Sequence, residues 1–231
     1  MTARNPTKQQ LLDAALPHVI FDGWSDACFC AAAADAGVDL QEARALCGRG
    51  PVDLAVAFHQ AGDQKMLERL AEVDLSAMRY RDRVALAVRL RLEVVGDKDY
   101  ARRGSSLFAL PQHAAEGARL IWGTADAIWN VLGDTSDDVN WYSKRATLSA
   151  VYGATVLFWL GDESDGDAAT WAFLERRIEN VMQIEKLKAQ VRKVPALDRL
   201  LDATLGRVRA PQTGPMQDVP GRWSGERTRT R

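Results

Sequence analysis

The chain has 231 residues, 47% of them hydrophobic and 26% charged, which provides a real buried core and excludes a disordered chain. Its three cysteines, Cys28, Cys30 and Cys47, are too few, and odd in number, for a disulfide scaffold, and they fit a reducing compartment. A net charge of −1 hides an asymmetry: residues 1–175 carry 17 basic and 25 acidic side chains, and residues 176–231 carry 13 basic and 6 acidic. A basic arm on an acidic body suits an anionic surface.

The first ten residues hold neither an apolar signal core nor room for an Arg-rich transit helix. The longest uncharged run, Ala146 to Gly161, is 16 residues, short of the roughly 18–20 that span a bilayer. Together these predict a cytoplasmic protein with no integral membrane segment.

Helical periodicity dominates, and strand alternation is almost absent. Thr7 to Phe21 reads as a first helix with Leu11, Leu12, Ala15, Val19 and Ile20 on one side, and with a kink or break near Pro17. Asp22-Gly23 ends it, and Ser25 caps a second helix through Ala34. Gly37 punctuates before a third helix, Leu40 to about Cys47. Gly48 to Pro51 is a turn with Pro51 at the first position of the next helix, which carries Val52, Val56 and Phe58. Further helices are predicted at Gln64–Leu70, Tyr80–Val95, Ala115–Leu132, Trp141–Leu160 and Ala168 to about Lys193. Gly96-Asp97, Gly133 through Asp138 and Gly161 through Asp167 separate the later ones with turn and cap residues.

Beyond Pro195 the apolar residues Leu197, Leu200, Leu201, Leu205 and Val208 fall on one helical face, with Asp198, Arg199, Asp202, Arg207 and Arg209 on the other. Such a helix lies in a membrane interface, docks into an apolar groove, or packs on its own domain. From Pro211 onward, prolines and glycines among polar residues predict disorder. The predicted organisation is therefore a three-helix unit over residues 1–60, a helical body over 61–193, an amphipathic helix over 194–210 and a tail over 211–231.

Residues 1–60 resemble a TetR-type helix-turn-helix unit, through Leu11 to Leu16, Trp24 after the glycine turn, and Ala32 to Val38 around Gly37. Their charge does not suit DNA. Arg4, Lys8, Arg44 and Arg49 face Asp13, Asp22, Asp26, Asp35, Asp39, Glu42 and Asp53, and DNA affinity depends on neutralised phosphates. Asp39 and Glu42 also stand where groove-reading residues would sit. No nucleic-acid partner is expected, and a ligand-responsive TetR-type regulator is the second reading.

Catalytic signatures are lacking. His18, His59 and His113 are scattered, and His113-x-x-Glu116 is a single reversed copy of the spacing that di-iron bundles use in duplicate. Cys28-x-Cys30 is too tight for a zinc pair and reads as two small buried hydrophobes. No G-x-S-x-G, P-loop or G-x-G-x-x-G occurs. Neither an enzyme nor a bound metal or cofactor is expected.

The string Asp138-Val139-Asn140-Trp141-Tyr142-Ser143-Lys144-Arg145-Ala146 places two adjacent aromatics about 100° apart on a helix, so one of them stays near the surface. With Ala150 to Thr155, Thr170 to Ile178, Leu12 to Val19 and Gly23-Trp24-Ser25, the chain resembles the coenzyme Q nine family from about Leu11 to Val208. These are lipid-binding accessory proteins of ubiquinone biosynthesis.

That resemblance implies an all-α, TetR-regulator-like fold: an N-terminal helix-turn-helix-like unit without DNA binding, a C-terminal helical lipid-binding domain and a C-terminal amphipathic helix. It implies an isoprenoid or quinone lipid as ligand and membrane contact through Leu197, Leu200, Leu201, Leu205 and Val208. It also implies presentation of the lipid to a di-iron quinone hydroxylase through Trp141, Tyr142 and Arg145. A second copy of the chain is kept as a candidate partner. For the pocket, Trp122, Ile128, Trp129, Tyr152, Val156 and Phe158 are the candidates, with core packing as the alternative for each. The short N-terminus departs from mitochondrial members and implies a bacterial protein, peripherally associated with the inner membrane.

Overall fold

The computed structural model describes residues 7–191. Within them the chain is helical and contains no strand: α1 (Lys8–Asp22), α2 (Asp26–Asp35), α3 (Leu40–Leu46), α4 (Pro51–Ala71), α5 (Tyr80–Glu93), α6 (Lys98–Phe108), α7 (Ala114–Val131), α8 (Val139–Leu160) and α9 (Ala168–Val191), with one 3-10 turn at Asp165–Asp167. The amphipathic segment 197–208 and the tail from residue 211 lie outside the described residues.

The helix starts follow local chemistry. Thr7 and Gln10 form a reciprocal capping box on α1. The Ser25 hydroxyl accepts from Cys28 N–H, and Asp39, Asp97 and Asp138 each accept from the amide two residues on. Gly23 ends α1 at φ +65°, where its N–H donates to Val19 O at 2.9 Å, a conformation costly for any other residue. Pro17 does not break α1, which continues to Asp22; Leu11, Leu12, Ala15 and Val19 are all buried on one face, and that packing holds the helix past the proline.

Two departures from the sequence pattern matter for the site. The pattern gives one helix carrying Phe58 and a separate one from Gln64 to Leu70, with Gly62 between them, yet α4 runs unbroken through 21 residues. A Cβ on Gly62 would lie 2.7 Å from Arg91 Nη1 and 2.8 Å from its Cζ, so this glycine admits a side chain from α5 and marks no turn. The second departure is α6, which the pattern reads as part of the connection between the helices either side. None of its residues is fully buried, and its Gly-Ser-Ser sequence resembles a loop; only tertiary contact shows that Tyr100, Gly104 and Phe108 share a face turned to the protein.

Two apolar clusters result. Leu11, Val19, Trp24, Phe29, Ala43 and Leu54 belong to one, and Met66, Leu70, Val88, Ile128, Leu148, Trp159 and Leu174 to the other. α4 has buried residues in both, Leu54 and Ala55 in the first and Met66 and Leu70 in the second. α7 packs on α4 and on α8, and α9 on α8 and α5. Among the described residues, no helix is long and apolar enough to cross a membrane.

Gly62→Ala separates the two readings of that glycine. A helix interior favours alanine by about 1 kcal/mol, whereas forcing a Cβ onto a buried guanidinium costs about 1–3 kcal/mol in overpacking and strains its hydrogen bonds. The expected outcome is net destabilisation, seen as a lower Tm in thermal unfolding. A raised Tm would mean that Gly62 has no packing role.

Candidate functional site

Between α4, α5, α6, α7 and α8 lies a cavity of about 440 Å3. Its wall is largely apolar: Ala55 and Phe58 from α4, Leu92 from α5, Tyr100 and Phe108 from α6, Leu120 and Ile121 from α7, and Val156 and Trp159 from α8. Trp24, from the α1–α2 connection, and Phe58 approach with ring centroids 5.7 Å apart, and Phe58 meets Tyr100 at 5.6 Å. Ala109, Ala114, Ala118 and Leu157 line it and are exposed, so the opening lies between the α6–α7 corner and α8. Gly117 lets α6 close on α7, since a Cβ there would sit 2.8 Å from Phe108 Cβ.

One wall is polar. Arg91, buried, donates through Nε to Asp63 Oδ1 at 2.6 Å and through Nη2 to His59 O at 3.0 Å. Thr124 Oγ1 donates to the same Asp63 oxygen at 2.8 Å and lies 2.9 Å from His59 Nε2. A carboxylate only accepts, and Thr124 has one proton to give, so His59 Nε2 is the donor to Thr124. Burial pushes the His59 pKa down from 6.5 to about 4, helped by the charge of Arg91, and burial raises that of Tyr152 beside them. The cluster is therefore neutral His, Asp–Arg pair, Thr and un-ionised Tyr at neutral pH. His59 and Asp63 stand four residues apart on one helix, a signal that the supposed break before Gln64 conceals.

Of the predicted pocket residues, Tyr152 and Val156 line this cavity; the other four do not. Ile128 is buried in the core among the α5 and α8 side chains. Trp129 packs against Tyr80 with ring centroids 5.8 Å apart and donates to Lys144 O. Trp122 meets Trp141 at 6.1 Å, and Phe158 stacks on Phe173 at 4.5 Å, partly exposed, on the outer side of α8. The reason is helical geometry: α7 and α8 are apolar on more than one face, and only one of these faces turns to the cavity.

The Trp141–Tyr142 pair is where the sequence places it, with Tyr142 exposed and its ring 4.8 Å from that of Trp141 in an edge arrangement. Arg145 differs from expectation. It is 1% exposed, so it offers no surface contact. Its guanidinium lies 4.0 Å under the Trp141 ring and donates to Asp126 Oδ1 at 2.5 Å, Asp134 Oδ2 at 3.0 Å and Asn130 Oδ1 at 3.0 Å. Burial alone would raise the Asp134 pKa, but the donors Lys144, Ser136 and Arg145 outweigh it and hold the group at about 2. Arg145 thus supports Trp141 from beneath.

The smaller sequence candidates resolve in the same way. Cys28 is buried and its thiol is pushed up to about 11 by burial, whereas Cys30 is exposed, against the expectation that both are buried. Successive helical residues point about 100° apart, so two positions on, Cys30 faces away from the core. Glu116 of the His113-x-x-Glu116 pair accepts from Arg49 and Arg119, and among the described residues no group of three His, Cys, Asp or Glu side chains is arranged to hold a metal. His18 sits 2.7 Å from Asp35. A wider depression of about 600 Å3 between α5 and α9 has Arg81, Asp82, Arg89, Glu175 and Glu179 in its lining and suits an apolar ligand far less.

Two measurements check these local arrangements. Arg145→Met takes a buried cation away from both Asp126 and Asp134, leaving Asp134 to Lys144 and Ser136, and a loss of about 3 kcal/mol in urea unfolding is expected; a loss under about 1 kcal/mol would show that the cluster is not structural. For His59, the unfolded imidazole takes a proton near pH 6.5 while the folded one resists until about 4. Stability contributed by the neutral imidazole is therefore complete above about pH 6.5 and falls towards pH 4, by an order of 3 kcal/mol. His59→Gln, which still donates to Thr124 but does not titrate, should flatten that part of the profile.

Residues 114–185, covering α7, α8 and most of α9, match the COQ9 family model. The chain is 30% identical over 188 residues to the mitochondrial ubiquinone biosynthesis protein COQ9 of Drosophila melanogaster, covering 79% of this chain and 57% of that protein. To the human protein of the same name it is 27% identical over 194 residues, 80% of this chain and 60% of that one. It therefore spans about three-fifths of the length of these relatives. Their names are mitochondrial, which overturns the expectation of a cytoplasmic protein of a bacterial inner membrane; that expectation rested on the N-terminus, the short uncharged run and the few cysteines. In three dimensions the chain matches the crystal structure of a TetR transcriptional regulator from Nitrosomonas europaea, with a TM-score of 0.61 and 18% identity, over 74% of this chain and 95% of that one. The fold is thus all-α and TetR-regulator-like, and in sequence the chain has homologues among the COQ9 proteins and resembles the coenzyme Q nine family, most specifically over residues 114–185.

Proposed function

We propose that this chain is a non-catalytic accessory protein of ubiquinone biosynthesis that holds an isoprenoid quinone intermediate and presents it to the quinone-ring hydroxylase. The observation that carries this reading is the largely apolar cavity of about 440 Å3 with an open mouth at Leu157, in a chain whose relatives are named for ubiquinone biosynthesis. Burying an isoprenoid tail there is favourable by about 25 cal/mol per Å2 of apolar surface, which offsets withdrawal from a bilayer.

The remaining parts follow from the surface. The ligand site draws on both units, with Trp24, Ala55, Phe58 and His59 from residues 1–60 and the rest of its wall from α5 to α8. The exposed edge of Trp141 and Tyr142, braced by Arg145, is a suitable contact for the hydroxylase, because rigid aromatics supply contact area at little entropic cost. Membrane contact falls to the amphipathic pattern of Leu197 to Val208. The N-terminal unit serves as a scaffold: Arg44 is tied to Asp26, and Arg49 to Asp53 and Glu116, so the few basic groups near α3 are already neutralised, and duplex DNA finds little to bind.

Lipid extraction and mass spectrometry of the purified protein test the reading, with Val156→Trp as its control. The larger ring should fill the cavity beside Tyr152, leaving a folded helical protein by circular dichroism with at least tenfold less co-purified prenyl lipid. An empty wild-type cavity, or unchanged lipid in the variant, would overturn it.

A further inference from the structure

Three indole N–H groups of the described residues have protein acceptors. Trp129 donates to Lys144 O at 3.1 Å, Trp159 to Asp167 Oδ2 at 2.9 Å and Trp171 to Gly166 O at 2.8 Å. Trp24 differs: it is 6% exposed, and its Nε1 has no hydrogen-bond partner among the described residues. A buried donor left unmade is a penalty that folds avoid. The same side chain lines the cavity.

The surroundings hold this donor in place. Gly23 at φ +65° turns the chain from α1 into Trp24. Arg103 of α6 donates to Ile20 O at 2.7 Å and Phe21 O at 3.3 Å, fixing α6 across the end of α1. Phe58 packs on the indole. Beside the indole is Gly104 of α6, where a Cβ would stand 3.9 Å from Nε1 and which itself lines the cavity. A glycine there keeps side-chain atoms away from a donor that the protein does not satisfy.

We propose that Trp24 is a specificity-determining residue of the cavity, donating its indole N–H to an uncharged carbonyl oxygen of the ligand. The oxygen is uncharged because the wall includes Ala55, Phe58, Tyr100 and Gly104, and the one Arg or Lys among the described lining residues, Arg91, is already committed to Asp63 and His59 O. This assignment rests on the lipid-holding reading above and adds to it the end of the ligand that the N-terminal unit recognises. It also gives that unit a role in binding, since Trp24 belongs to its core.

The test compares two ligands of like shape on the full, delipidated chain: a decyl-trimethyl-benzoquinone and the corresponding decyl-trimethylbenzene. Full ring substitution of the quinone prevents addition of the exposed Cys30 thiol. The quinone should shift the Trp24 indole proton resonance downfield, the peak being assigned by its loss in Trp24→Phe, and the hydrocarbon should not. Trp24→Phe should weaken quinone binding about five- to tenfold and hydrocarbon binding less than twofold. Gly104→Ser, which sets a hydroxyl acceptor before Nε1, should weaken the quinone selectively too. An unmoved indole resonance in the wild type, or equal quinone affinity in wild type and both variants, overturns the proposal while leaving the cavity reading intact. Failure of both compounds to bind the wild type overturns both. If Trp24→Phe does not fold, Gly104→Ser and the wild-type spectrum decide, with the indole peak assigned by sequential methods.

Discussion

Asp63 and Arg91 meet at 2.6 Å where α4 crosses α5, and much of the molecule is arranged around that contact. α4 is the helix with buried residues in both apolar clusters, so whatever fixes α4 against α5 also fixes the N-terminal unit against the body. The guanidinium reaches the α4 backbone at His59 O because Gly62 presents no side chain. Thr124 ties α7 to the same carboxylate. A buried ion pair gains little in stability over an apolar pair of the same shape, but its directionality sets one register among three helices that apolar packing alone would leave freer.

The cavity is a consequence of that register. With α4, α5 and α7 held by a polar cluster, α6 and α8 complete the enclosure, and the alanines and glycines at their approach leave space that larger side chains would fill. Its wall is apolar on most sides and polar on one, as sites for amphipathic ligands generally are. The polar side consists of groups already satisfied by one another, so it orients without demanding a countercharge. Trp24 stands apart from these groups because it lines the cavity with its buried indole N–H unpaired.

At the other end of the body, the Arg145 cluster does for the surface what Arg91 does for the interior. Asp126 and Asp134 receive the guanidinium on one side and the Trp141 ring covers the other. A partly exposed tryptophan free to rotate would lose entropy on binding; one clamped over a buried cation has already lost it. The aromatic pair at the start of α8 is thus a stiff feature, as a recognition surface requires, and its stiffness comes from a residue that is itself inaccessible.

Periodicity, caps and turn residues determine on their own that the chain is helical, where α1, α2, α3, α5, α7 and α8 lie to within a few residues, and that the first helices form a regulator-like unit with acidic rather than basic chemistry. The Trp141-Tyr142 motif was legible because adjacent aromatics on a helix must diverge. Tertiary structure alone decided four things: that Gly62 continues a helix, that residues 98–108 form α6, that Arg145 is buried, and which apolar residues face the cavity. Each depends on a contact between separate elements of the chain. Gly62 reads as a breaker until Arg91, 29 residues later, is laid against it, and a helix apolar on two faces does not announce which of them another helix will cover.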